Sequence, residues 1–236
     1  MIAAISGTPA ALAAKAATTT IPIVFAIGGD PVAPGLVASL NRPGGNVTGV
    51  SFYNSPVVTK RLDLARELVP DGSVIALLGN PDNPGSVGET KAAEAAAAAL
   101  GQPLLILNAS TVGQIDDAFA TCKQQQVRAL ITSADPFFFS ERVKLVVLMA
   151  RDALPTIFAE GEQVRAGGLI SYGASRADAY RQAGSYVGRI VKGEKPADLP
   201  VTLPTKFHIL VNLKTAKSLH IDIPATVLAR ADEVIE

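Results

Sequence analysis

Short unbroken apolar runs recur along the chain, at 2–6, 21–27, 47–52, 74–78, 103–107, 129–133, 156–159, 168–172 and 207–211. Runs of this kind lack the alternation of a half-exposed strand and suit strands covered on both faces. Amphipathic stretches lie between most of them, at 9–17, 34–40, 57–68, 85–100, 112–124, 140–151, 176–192 and 213–219. Strands alternating with helices predict right-handed βαβ units and parallel sheets, an α/β fold.

Several apolar runs stop at a small residue, then Thr or Asp, then Pro: Thr8-Pro9, Asp30-Pro31 and Asp135-Pro136. A side-chain oxygen before a proline is the pattern of a helix N-cap followed by its first residue. These are expected strand-to-helix turns at the carboxyl ends of strands, the edge where open α/β sheets bind ligands.

One β-turn-α-β pattern is used twice. ISGTPAALAAKAATTTIPIVFAIGGDP aligns with TSADPFFFSERVKLVVLMARDALPTIFAEGEQ, so that Ser6 matches Ser133, Thr8 matches Asp135 and Pro9 matches Pro136. The repeat predicts two doubly wound parallel-sheet lobes. Residues 1–46 and 175–203 are assigned to lobe one and 47–174 to lobe two, while 204–236 are left between the two assignments. RPGGNVTGVSF, LISYGASRADAY and KGEKPADLPVTLPTK read as three crossings, a hinge with a cleft beneath it. Two further βα units precede the second copy but not the first, so lobe one is expected to lack about 50 to 60 residues at its start, by comparison with lobe two. An incomplete first sheet would leave a strand edge and an apolar face exposed, and either self-association through lobe one or a poorly ordered first lobe is expected.

Composition narrows the function. With 48% hydrophobic and 18% charged residues among 236, the chain can fill a core. Zero formal net charge, with no basic run, gives no nucleic-acid footprint. No metal-ligand cluster, dinucleotide loop or P-loop spacing is present, and no cofactor is expected. No nucleophile–base pair is evident, which argues against an enzyme. The single cysteine, Cys122, lies in an amphipathic stretch and reads as a half-buried structural thiol.

GDPV, GGNVTGVSF, KRLDLARELVP, LGNPDNPGS and FHILVNLKTAKSLHIDIP together resemble the ABC-transporter substrate-binding protein family that includes tryptophan-binding proteins of the TrpX type. The resemblance covers essentially the whole chain. It implies a type I periplasmic-binding-protein fold, with a ligand clamped between two lobes and delivered to a membrane permease. It also implies export to the periplasm, or lipid anchoring outside the cytoplasm, although no signal is seen in this chain.

The candidate ligand residues sit at strand ends. They are Ser6, Gly7, Thr8, Gly29 and Asp30 on lobe one, and Asn80, Asn83, Ser86, Ser133, Asp135 and Glu160 on lobe two. Helix N-termini suit a carboxylate and the acids suit an ammonium group, so the set reads as an amino-acid site. Thr8, Asp30 and Asp135 read equally well as caps, and Asn80 and Asn83 as turn residues. Glu160 has no proline cap signature. Tyr172 and Phe137 could stack on a ring, with core packing the stronger reading for Phe137. Tyr53 and Asn54 are further candidates. Two alternatives stay open: an aromatic carboxylate without an amine as ligand, and the effector-sensing domain of a transcription regulator.

Overall fold

The structure, a computed structural model, describes residues 1–52 and 55–236. Tyr53 and Asn54 lie outside the described residues. The chain divides into two compact units: Met1–Asn54, Asn83–Gly85 and Ala174–Lys206 form one, and Ser55–Asp82, Ser86–Gly173 and Phe207–Glu236 the other.

Unit one holds a parallel sheet, β1 (Ile2–Ala4), β2 (Ile23–Ile27) and β3 (Val47–Ser51), in that order. Helix α1 (Thr8–Ala17) joins the first two strands, and α8 (Arg176–Val191) packs on β2 and β3. Strand β2 is buried on both faces. Ile23, Phe25 and Ile27 face a core with Leu36, Val37 and Val201, while Val24 and Ala26 face Ala179 and Ala183 of α8. This two-residue period is the strand geometry expected of a covered apolar run.

Residues 47–51, expected in lobe two, form β3 in unit one instead and pair with β2. Gly49 permits this, because a Cβ there would come 2.2 Å from the Phe25 carbonyl oxygen. The segment around Leu199–Thr202 runs beside β3, with Thr48 Oγ1 donating to the Leu199 carbonyl at 2.6 Å. No helix forms at 34–40; the segment is a series of turns, with Gly35 at a φ of 72° and the Val37 N–H bonded to the Pro31 carbonyl. Gly35, the second residue of the segment, takes a left-handed backbone that a right-handed helix cannot contain.

Unit two is built on seven strands. They are β4 (Ile75–Gly79), β5 (Leu104–Asn108), β6 (Ala129–Thr132), β7 (Thr156–Phe158), β8 (Ile170–Gly173), β9 (His208–Asn212) and β10 (Glu233–Ile235). Their order is β10-β9-β8-β7-β6-β4-β5. Helices α2 (Ser55–Glu67), α3 (Pro84–Leu100), α4 (Val112–Gln124) and α6 (Arg142–Arg151) supply the covering layers. The sheet is parallel except where β9 runs antiparallel to β8, a departure from the all-parallel expectation. The C-terminal segment belongs to this unit, through β9 and β10.

Other boundaries moved locally. The stretch expected as one helix over 140–151 is preceded by α5 (Pro136–Ser140), and Glu141 both ends α5 and opens α6. Short elements α7 (Gly161–Arg165), α9 (Leu213–Ser218) and α10 (Ala225–Leu228) complete the unit.

Candidate functional site

Strands β8, β7, β6 and β4 lie side by side in unit two and end at the same edge. Tyr172, Glu160, Asp135 and Asn80 stand at those ends, one to each strand. The chain leaves β4 towards β5 on one side and enters β6 on the other. Asn80 and Asp135 therefore flank a topological switch point, the place where open α/β sheets take ligands.

Local hydrogen bonds hold this edge. Asp135 caps α5, its Oδ1 accepting from the Phe137 N–H at 2.8 Å and from Asn80 Nδ2 at 3.2 Å. Asn80 makes a turn of its own, its Oδ1 accepting from the Asp82 N–H at 3.0 Å. The Asn80 N–H donates to Ser86 Oγ at 2.7 Å, and Ser86 and Ser133 hydroxyls share a bond of 2.7 Å. Ser86 and Ser133 are buried, so they join strand ends rather than form an open surface. Asn83, expected on lobe two, falls in unit one with Gly85, whose N–H donates to its Oδ1 at 3.0 Å. Glu160 is buried and occupies the N-cap of α7 without a proline, its N–H donating to Gln163 Oε1 at 3.2 Å. Tyr172 is half-buried with its ring centroid 6.1 Å from that of Phe207, and Phe137 packs on Phe138.

Behind the edge lies an ion pair that sequence reasoning missed. Arg61 of α2 and Glu89 of α3 are both buried and bonded to each other. Arg61 also donates to the Thr132 carbonyl at 2.6 Å, and Glu89 Oε2 accepts from the Ala134 N–H at 2.8 Å. The pair thus grips the backbone on both sides of Ser133, one residue from Asp135. Burial pushes the Glu89 carboxyl above its ordinary pKa, and the opposing pull of Arg61 does not cancel that.

Unit one brings a second group of strand ends together. Ser6, after β1, is exposed, and Asp30, after β2, is half-buried. Thr8 is buried near Gly29, and Ser51 Oγ donates to the Gly29 carbonyl at 2.7 Å. Two expected caps are absent. Gly7, at a φ of 91°, takes the N-cap of α1, so Thr8 falls inside the helix and makes no capping bond. Asp30 Oδ1 accepts from the Val32 N–H at 2.8 Å and forms a turn, with no helix following. Arg176, also missed, opens α8 at the same edge. Its guanidinium lies 5.8 Å from the Phe52 ring centroid and 5.6 Å from that of Tyr180.

Little else suggests chemistry. Burial pushes the Cys122 thiol up to about 12, helped by the charge of Asp152, so it stays protonated at neutral pH. Among the described residues, no group of three or more His, Cys, Asp or Glu could hold a metal.

A family model described as ABC transporter substrate binding protein matches residues 1–235. The chain belongs to this family. It is 30% identical over 219 residues to a tyrosine-binding protein of Clostridioides difficile (strain R20291), a match covering 93% of this chain and 62% of that protein. The chain thus spans less than two thirds of that curated relative. Two solved structures superpose with a TM-score of 0.88, each over 99% of this chain. One is a conserved domain protein from Vibrio cholerae, 30% identical with 76% of it covered. The other is an ABC domain from Streptococcus pneumonia in complex with L-Trp, 29% identical with 79% covered.

Proposed function

We propose that this chain is the solute-binding part of an ABC importer and binds an aromatic amino acid, tryptophan or tyrosine. The observation that carries this reading is the row Tyr172, Glu160, Asp135 and Asn80 on four adjacent strand ends, in a chain of this family. Asp135 and Glu160 supply negative charge for an ammonium group. Tyr172 offers a ring face for an aromatic side chain. Asn80, held by Ser86, offers an amide beside Asp135. The names of the relatives support the ligand class, since one is a tyrosine-binding protein and another was solved with L-Trp.

The family works outside the cytoplasm with membrane permeases, and we propose that this protein hands its ligand to such a permease. Among the described residues, no helix is long and apolar enough to cross a membrane. Lipid anchoring, and self-association through the open edge of β1, are the finer parts of this proposal. Vesicle flotation of the protein isolated from its native host tests the first, and sedimentation velocity of the 236-residue chain tests the second.

A thermal-shift screen of the amino acids, with aromatic acids lacking the amine as controls, tests the ligand class. A ligand at a hundred times its Kd stabilises the fold by about 2.7 kcal/mol. Tryptophan or tyrosine should raise the Tm. A rise only with the amine-free acids would contradict the reading.

A further inference from the structure

We infer that unit two carries a second binding site, at the sheet edge opposite the row of strand-end residues, and that this site takes an elongated carboxylate with an apolar tail. The inference goes beyond the amino-acid reading and does not depend on it.

The site is a cavity of about 800 Å³, within the roughly 300–1,000 Å³ usual for small-molecule sites. All of its lining belongs to unit two. Val74, Arg128 and Leu154 line it, and they stand shortly before β4, β6 and β7. Asn80, Asp135 and Glu160 follow the other ends of the same three parallel strands. The cavity and that row therefore occupy opposite edges of one sheet. A second hollow, which reaches His220 and Asp222, shares Val127, Arg128, Asp152 and Leu154 with the first. Together they make one groove along the amino ends of the strands, and its shape suits an elongated ligand.

Side-chain chemistry selects the ligand. Phe119, Cys122, Val127 and Leu154 are buried and give the larger hollow an apolar floor. Its charged lining is Lys123, Arg128, Arg151 and Asp152. Arg151 and Asp152 neutralise each other, with Nε donating to Oδ1 at 2.8 Å and Nη2 to Oδ2 at 2.6 Å. That bond, more than the nearby charge of Lys123, holds the Asp152 carboxyl below its ordinary pKa. Lys123 and Arg128 remain. Among the described residues, no hydrogen bond or ion pair ties the ammonium of one or the guanidinium of the other. Helix capping does not account for Lys123, although it lies in the last turn of α4. The Thr121, Cys122 and Lys123 carbonyls already accept from the N–H groups of Gln125, Val127 and Gln126. Arg128 lies on no helix. Two cations beside an apolar floor match a carboxylate joined to an apolar tail. The guanidinium fork can bond both carboxylate oxygens, and the tail covers apolar surface that an inorganic anion would leave wet. Asp222 repels the anionic head from the smaller hollow, so the tail runs that way.

Titration of octanoate into the isotope-labelled chain, followed by amide NMR shifts and by calorimetry, tests this, with octanol and octylammonium as controls. Octanoate should bind and shift the amides of Val127, Arg128 and Leu154, and leave those of Asn80 and Gly161 in place. Octanol and octylammonium should bind at least about tenfold more weakly, the scale of losing a charge-assisted hydrogen bond. Arg128→Gln should weaken octanoate by about tenfold, and Lys123→Gln added to it should weaken it further. Both positions are exposed, and circular dichroism confirms that the variants are folded. Lys91→Gln, an equal loss of charge at an exposed lysine that lines neither hollow, should change nothing. The inference is overturned if octanoate does not bind at millimolar concentration, or if its shifts gather at Asn80 and Gly161. It is overturned equally if octylammonium binds as tightly, or if the double variant keeps wild-type affinity. None of these outcomes bears on tryptophan or tyrosine binding, which the thermal-shift screen decides separately.

Discussion

The turns at Ser6–Pro9 and Ser133–Pro136 share one sequence pattern and differ in what holds them. In unit two, Asp135 is a true cap. Its neighbours are tied down by the Ser86–Ser133 pair and, from behind, by Arg61 and Glu89. In unit one, Gly7 reaches a φ of 91° and a ψ of 179°, and the helix begins one residue earlier, at Thr8. That backbone region is open essentially to glycine alone. The matching residue in unit two is Ala134, which does not adopt it. The residue just ahead of the oxygen-bearing side chain, Gly or Ala, therefore goes with whether that side chain caps the helix. The difference also separates a turn fixed by buried polar bonds from one fixed by backbone conformation.

The largest effect should come from removing the brace. Glu89→Ala leaves Arg61 buried without its carboxylate and should cost about 3–5 kcal/mol. Urea denaturation measures this; a loss below 1 kcal/mol would show that the pair is not what holds the β6 turn. The pair also carries a pH signature. The folded pKa of Glu89 is raised, so the folded state binds more protons than the unfolded state just above the ordinary value of about 4.3. Its contribution to stability is therefore present at low pH and is lost as the pH rises through the folded pKa. In Glu89→Gln this component should vanish, and melts between pH 4 and 8 compared with wild type would reveal it.

Next in size is the effect of Asp135 on binding. Asp135→Ala should weaken an amino-acid ligand by about 2–5 kcal/mol, the cost of stranding a buried charge. Stability should fall by only about 1 kcal/mol, for the lost cap. Equal stability loss with unchanged affinity would reduce Asp135 to a cap. On the unit-one side, Gly7→Ala should cost about 1–3 kcal/mol through backbone strain. The smallest effect should be Thr8→Val, which keeps the shape and removes only the hydroxyl. A change within about 0.5 kcal/mol is expected for an oxygen that caps nothing, and a loss of 1 kcal/mol or more in chemical denaturation would restore Thr8 as a cap.

Periodicity carried most of the fold. The runs at 21–27 and 74–78 become β2 and β4, buried along their length, and 112–124 becomes α4 with Thr111 as its cap. The antiparallel arrival of β9 was not legible, because an apolar run has no direction. The segment 34–40 differs because its large apolar residues, Leu36, Val37 and Leu40, serve a turn-rich loop. The edge strand β10 has three residues, two of them exposed, and leaves no apolar signal. At the candidate site, the acids and hydroxyls stood out because each follows a strand run. Arg61 did not, since a charged residue on an amphipathic helix reads as solvated until its partner is known. That partner, Glu89, lies 28 positions along the chain, a separation set by tertiary packing. Arg176 was hidden in the same way, as an ordinary charge in the first turn of a helix.

The central claim is that strand-end acids of unit two, Asp135 above all, hold the ammonium group of an aromatic amino acid. Isothermal titration of L-tryptophan and L-tyrosine into wild type and Asp135→Ala tests it most directly. The account predicts one-to-one binding of at least one of them to wild type, and a loss of at least about 30-fold in the variant, the lower end of the charge-pair cost. Failure of wild type to bind either amino acid, or equal affinity in the folded variant, would contradict it.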